Sequence, residues 1–275
     1  MAQIKASDVG KLRKMTGAGM MDCKKALSEA EGDFDQAVKL IRERGQAIAN
    51  KRADREATEG AAIAKVTADG KFGVIIVLNC ETDFVAKNED FLAFANQLAD
   101  LAVENKVADL DALKALSIDG KDLATVIMEK SGVVGEKLDL SQLKVIEGEM
   151  LVPYIHGNSK LSTVIALNKA ADLQVGKDVA MQVAAMNPVS LSKDDVPADV
   201  VERELEIGKE QARNEGKPEA MLDKIAQGKL GKFFKENTLL SQAFVKEGKM
   251  SVENYLKSVD ADLTVTGFIR IGLNA

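Results

Sequence analysis

Tryptophan is absent from this sequence of 275 residues, histidine occurs once, and cysteine and tyrosine twice each. Each scarcity removes a class of function. A single histidine, His156, excludes a two-histidine metal site within one chain and any histidine-rich zinc cage. Cys23 and Cys80 stand far apart, each in an apolar setting, and read as buried reduced thiols rather than a redox pair. Little remains for stacking bases, and a formal net charge of −6 disfavours wholesale phosphate neutralisation. Direct nucleic-acid binding is therefore not expected. No apolar run approaches membrane-spanning length, and Met1-Ala2-Gln3-Ile4-Lys5 lacks the apolar core of a signal peptide. The chain is expected in the cytoplasm, without a membrane contact. Neither a Walker-type glycine loop nor a dinucleotide fingerprint occurs. Thr16-Gly17-Ala18-Gly19 has glycine spacing of that kind, but it lies between two short helices and reads as a tight turn. Catalytic chemistry has little to stand on: no catalytic residue, cofactor or metal is expected, and the chain does not read as an enzyme.

What is present is a soluble globular composition, 46% hydrophobic and 29% charged, with enough length for two or three domains. It contains a repeat. Glu59-Gly60 opens one copy, Asp69-Gly70 makes a turn, and Ile76-Val77-Leu78-Asn79 closes a hairpin. Glu147-Gly148, Gly157-Asn158 and Ile165-Ala166-Leu167-Asn168 do the same in the second. A helix with the pattern Ala-x-Gln-apolar-Ala follows each, at Ala95–Ala99 and Ala180–Ala184. A third strand is expected for each copy, over Leu138–Ile146 and Leu263–Ile271.

The two copies differ in one place. Sixteen positions separate Asn79 from Ala95, but twelve separate Asn168 from Ala180. The connection lengthened by these four residues contains Thr82-Asp83-Phe84-Val85-Ala86-Lys87-Asn88. A loop after a buried strand should be small and polar, so Phe84 beside Asp83 needs a reason. One reading folds Phe84 back onto its own core. The other, favoured because only one copy carries the surplus, gives the loop a job on a partner.

Three short helices are expected before Gly45, with Ser7 or Asp8 capping the first, Asp33 capping the third, and Gly32 and Gly45 as punctuation. Cys23, Ala26, Leu27 and Ala30 form one apolar stripe, and Phe34, Ala37, Val38 and Ile41 another. For the adjacent Met20 and Met21, plain core packing is the favoured reading, and exposure of one of them to a partner is the alternative. The mixed charges from Arg42 to Glu59 read as a solvated helical linker. Further on, two helical patterns joined by Gly216-Lys217-Pro218 predict a projecting antiparallel hairpin.

These motifs together resemble one family. Met15-Thr16-Gly17-Ala18-Gly19-Met20-Met21-Asp22-Cys23-Lys24-Lys25-Ala26-Leu27, followed by Thr82-Asp83-Phe84-Val85-Ala86-Lys87-Asn88, is similar to the bacterial translation elongation factor Ts family. The resemblance continues through Val152-Pro153-Tyr154-Ile155-His156-Gly157 to Gly267-Phe268-Ile269-Arg270. It implies an α+β fold: an N-terminal three-helix module like ubiquitin-associated domains, two repeated α+β core halves with small antiparallel sheets, and an inserted antiparallel coiled coil. The expected divisions are residues 1–52, 53–146, 147–193 with 247–275, and 194–246 for the hairpin.

The resemblance further implies guanine nucleotide exchange on the GTPase elongation factor Tu. Asp83 and Phe84, flanked by Thr82 and Val85, match the stretch that disturbs the partner's Mg²⁺ and phosphate site. Leu12, Met20 and Met21 match a surface that grips a helix of the partner, and His156 matches a further interface residue. The hairpin implies homodimer or heterotetramer contacts. The competing reading is a non-exchanging interaction or chaperone-like protein that uses the hairpin.

Overall fold

The structure is a computed structural model and describes residues 4–273. It divides into two compact units. One holds residues up to Ile63 together with Ile76–Leu143; the other holds Ala64–Ile75 with Lys144–Gly272.

The first unit begins with α1 (Ala6–Thr16), α2 (Met20–Glu29) and α3 (Phe34–Arg52). Val9, Leu12, Cys23, Ala26, Leu27, Ala37 and Ile41 close a small core among them. The Asp33 carboxylate accepts from the Gln36 amide at 2.9 Å, as a helix cap should. For α1 the cap is made from inside, where Asp8 reaches back to the Lys5 amide at 3.2 Å. Gly45 does not end the third helix. It is buried in the middle of α3, which runs seven residues further because a second helix lies against it there.

β1 (Glu59–Val66) and β2 (Phe72–Cys80) form the first hairpin, and every residue of β2 is buried, as its unbroken apolar run requires. α4 (Asp83–Ala86) is a single turn, followed by α5 (Glu89–Glu104), which buries Phe91, Phe94, Ala95, Leu98, Ala99 and Ala102. Next come α6 (Leu110–Lys114), the two-residue strands β3 (Ser117–Ile118) and β4 (Lys121–Asp122), and α7 (Leu123–Val134). α7 packs against α3. It stops at Gly135, whose φ of 78° is the left-handed conformation that glycine adopts without steric cost. β5 (Asp139–Glu147) then joins the sheet, in the order β1-β2-β5.

The second unit repeats this plan with β6 (Met150–His156), β7 (Leu161–Leu167) and α8 (Leu173–Met186), completed much later by a third strand. β6 pairs with β7 in unbroken antiparallel register, Tyr154 opposite Thr163 and His156 opposite Leu161. α8 packs on both strands. A 3-10 turn at Lys193–Asp195 leads into α9 (Ala198–Asn214) and α10 (Glu219–Asn237), the expected helical hairpin. Its seam is narrow: a methyl on Gly208 would lie 3.1 Å from the Ala226 Cα, and Ala212, Leu222 and Leu230 are buried beside it. Lys209–Asp223 (3.0 Å) and Arg213–Glu219 (2.9 Å) bridge the exposed flanks, where ion pairs add little.

The hairpin is shorter than residues 194–246. Leu239 and Phe244 are buried in the same apolar cluster as Val152, Ile165, Val179 and Val183, so the stretch 238–244 contributes to the core. There β8 (Ala243–Phe244) and β9 (Glu247–Ser251) make a small ribbon before α11 (Val252–Val259) and β10 (Val265–Gly272). β10 pairs antiparallel with β7, completing the order β10-β7-β6. A part-buried polar knot around the buried Asp178 ties these late elements to α8: its carboxylate accepts from Lys246 at 2.6 Å and the Tyr255 hydroxyl at 3.2 Å, and from Gln174 of α8 itself at 2.6 Å.

Candidate partner-binding site

The lengthened connection of the first repeat folds as α4 and its cap. Thr82 is the N-cap, with φ −123° and ψ 155°, and its hydroxyl oxygen accepts from the Val85 amide at 3.4 Å. One helical turn is all the segment has room for before Asn88 caps α5, accepting from the amides of Asp90 at 2.8 Å and Phe91 at 3.3 Å. A turn so placed buries Ala86 and turns Phe84 outward, leaving its ring 83% exposed. Full exposure of a Phe forfeits about 1.5–3 kcal/mol of available burial, so nothing in the chain's own stability asks for it.

Asp83 begins the turn. Its carboxylate accepts from the Lys87 ammonium at 2.7 Å, one turn on, and this bond raises the Lys87 pKa above its ordinary value. The pair is exposed and exchangeable. Val85 is half-buried.

Beneath the turn the backbone is held by carboxylates. Glu136 accepts from the amides of Glu81 at 3.1 Å and Thr82 at 3.0 Å, and from the Thr82 hydroxyl at 2.7 Å. Glu81 in turn accepts from the Lys137 amide at 2.7 Å and from the Arg52 guanidinium at 2.9 and 2.7 Å. Burial pushes the Glu81 pKa up, but the Lys137 amide and the Arg52 charge outweigh it and hold the carboxyl below its usual value. Neither Glu81 nor Glu136 is singled out by the sequence, and Lys87 appears there only as a member of the Thr82–Asn88 motif. The one legible signal was Gly135, a helix-ending glycine that sets the following residue at a chain reversal.

At the N-terminal module, Met20 and Met21 are 52% and 73% exposed at the start of α2, and Met15 is exposed at the end of α1. Neither member of the Met20-Met21 pair fills the core, contrary to expectation, because Leu12, Cys23 and Leu27 already close it. Leu12 itself is fully buried. It offers no surface to a partner, since in a bundle this small the inward stripe of α1 has only Val9 and Leu12 to give. Leu12, Met20, Met21 and the Thr82–Val85 turn all belong to the first unit, and His156 to the second. His156 is exposed at the end of β6, its Nδ1 2.9 Å from the Tyr154 hydroxyl, with the rings 5.9 Å apart.

Among the described residues no three His, Cys, Asp or Glu side chains gather as a metal site, and no helix is long and apolar enough to cross a membrane. The arrangement is suited to contact: an apolar ring and a carboxylate raised on a braced turn.

Comparison with known proteins bears on which contact. Residues 81–275 match the family model described as Elongation factor TS. The chain is 50% identical over 277 residues to Elongation factor Ts of Flavobacterium psychrophilum, covering 99% of this chain and 100% of that one. It is 51% identical over 275 residues to those of Christiangramia forsetii, covering 99% and 100%, and of Amoebophilus asiaticus, covering 99% and 99%. With relatives half identical from end to end and a family match over most of its length, the chain belongs to the elongation factor Ts family.

Proposed function

We propose that this protein is a guanine nucleotide exchange factor of translation elongation, acting on the GTPase elongation factor Tu. The observation that carries the reading is Phe84: an aromatic ring left almost wholly in water, on a turn that only one of two repeated halves possesses. Interface energy concentrates in a few such anchors that fill pockets on a partner.

The mechanism needs no covalent step. A factor that binds the nucleotide-free partner more tightly than the GDP form must weaken GDP by the same ratio, because coupling free energy is reciprocal. In the GTPase, Mg²⁺ offsets repulsion among the diphosphate oxygens. Phe84 wedged beside the switch region, with Asp83 near the cation's ligands, would loosen both the ion and the phosphate-binding loop. Asp83 would exchange its Lys87 bond for partner groups on docking. Met20 and Met21 supply a second contact, soft enough to adapt to a helical surface, and His156 a third. The helical hairpin is a surface for self-association.

Release of a fluorescent GDP analogue from elongation factor Tu, with and without this chain, tests the proposal. Release should quicken with the concentration of the chain and saturate. An unchanged rate would refute exchange and leave a non-exchanging interaction protein.

A further inference from the structure

The hydrogen bonds beneath the turn assign a role to a residue that makes no contact of its own with a partner in this scheme. We propose that Glu136 is the positioning residue of the Phe84 turn, fixing the orientation in which the ring is presented. The inference rests on the exchange reading for its functional half and on geometry alone for the rest.

Where β2 ends and α4 has not begun, the amides of Glu81 and Thr82 have no ladder or helical acceptor waiting for them. Both turn to Glu136 Oε2, and the Thr82 hydroxyl takes Oε1. Charge-assisted bonds of this kind are shorter and stronger than neutral ones. Thr82 is also the cap of α4, so the restraint runs in series: carboxylate, threonine, first turn, ring. The adjacent residues bond in the opposite sense, the Lys137 amide to Glu81. Two segments that exchange carboxylates and amides resist both sliding and rotation. Arg52, on the Glu81 carboxylate, ties the end of α3 into the same knot. The left-handed Gly135 delivers Glu136 to this place by reversing the chain after α7.

The test uses the full chain as wild type, Glu136→Ala, Glu136→Gln, Phe84→Ala and the Glu136→Ala/Phe84→Ala double variant. Amide hydrogen exchange is read at Glu81 and Thr82 and compared with Val77 and Leu78 of β2. In Glu136→Ala, the first two amides should exchange faster by about tenfold or more, the loss expected for charged hydrogen bonds, while the strand amides keep their protection. The maximal rate of GDP release at saturating factor should fall by a similar ratio, more than the half-saturating concentration changes. The double variant should be slower than Phe84→Ala by less than Glu136→Ala is slower than wild type, because the ring is part of what the clamp positions, with Asp83 on the same turn. Glu136→Gln, which keeps one acceptor oxygen, should lie between wild type and alanine, and it carries the test if the alanine variant does not fold. Unchanged amide protection would overturn the clamp. Full exchange activity despite lost protection, or additive losses in the double variant, would overturn its role. Should the wild type itself not release GDP, the exchange reading fails, and amide protection alone decides whether Glu136 holds the turn.

Discussion

Gly45 of α3 and Gly132 of α7 meet backbone to backbone, and the contact is lopsided: a methyl on Gly132 would lie 2.3 Å from the Gly45 Cα, whereas a methyl on Gly45 would find the Gly132 Cα at 3.5 Å. The first distance demands that a helix move; the second is ordinary contact. Replacing a helical glycine by alanine gains about 1 kcal/mol in propensity, and overpacking a tight contact costs about 1–3 kcal/mol. Gly45→Ala should therefore melt at or above the wild-type temperature, and Gly132→Ala clearly below it. Thermal denaturation of the two variants checks the asymmetry. Equal losses would mean that the helices yield alike from either side.

Phe84→Ala removes a ring that the free protein does not bury. Its melting temperature should stay close to wild type, far from the roughly 3–5 kcal/mol loss of a truncated core Phe. GDP release should slow by about tenfold or more, as for a lost hot-spot anchor of about 2 kcal/mol. Asp83→Ala should slow release more than it weakens binding of the partner. A large fall in melting temperature for Phe84→Ala would return the ring to the core.

Leu12 and Met21 lie on neighbouring helices and should behave oppositely. Leu12→Ala empties a fully buried site and should cost about 2–5 kcal/mol of stability. Met21→Ala, at an exposed site, should leave melting within about 0.5 kcal/mol and weaken partner binding instead. Calorimetry and titration of the partner on the same two variants separate the effects.

The Asp178–Tyr255 pair gives stability two pH edges. Burial alone would raise the Asp178 pKa, but bonds from Lys246, Gln174 and Tyr255 hold it below its ordinary value. A lowered folded-state pKa means that stability is complete above the unfolded value of about 4 and is lost as pH falls through the folded one. Tyr255 is pushed up to about 12, first by burial and then by the Asp178 charge. Its contribution is complete below the unfolded value of 10.0 and is lost as pH rises from there toward about 12. In a Tyr154→Phe protein, one tyrosine remains, and its phenolate absorbance should emerge near the upper figure. Asp178→Asn should bring it out at lower pH and flatten the acid edge.

Deleting residues 202–233, with the first turn of α9 and the last turn of α10 kept and joined by a short flexible linker, should leave the second unit cooperatively folded. Deleting 194–246 should not, because Leu239 and Phe244 go with it. Melting curves of both distinguish an inserted hairpin from an integral one.

Much of this was readable in the sequence wherever the cause was local. The apolar run Val74–Leu78 lies within β2, the paired closings at Asn79 and Asn168 mark the repeat, and Gly216-Lys217-Pro218 is the hairpin turn. Phe84 was legible as exposed because its setting could be compared with a second copy. The errors arose where a distant segment decides. Gly45 reads as a stop unless Gly132 is known to lie against it. Leu239 and Phe244 fall inside the expected hairpin span along the chain but fill a core in three dimensions. Glu136 is one glutamate among many until the fold brings it beneath Thr82.

The outer edge of the second sheet has a consequence for how the protein survives crowding. β6 is an edge strand, and Leu151 turns its amide away from β7, to the Gly70 carbonyl at 2.8 Å. By alternation, the next outward donor would belong to residue 153, which is proline and has none. One donor is already taken and the next does not exist, so the row of outward donors is broken along this edge and templates a neighbouring chain poorly. Pro153→Val would add a free outward donor next to that of Ile155 and make this border more prone to pair with another chain.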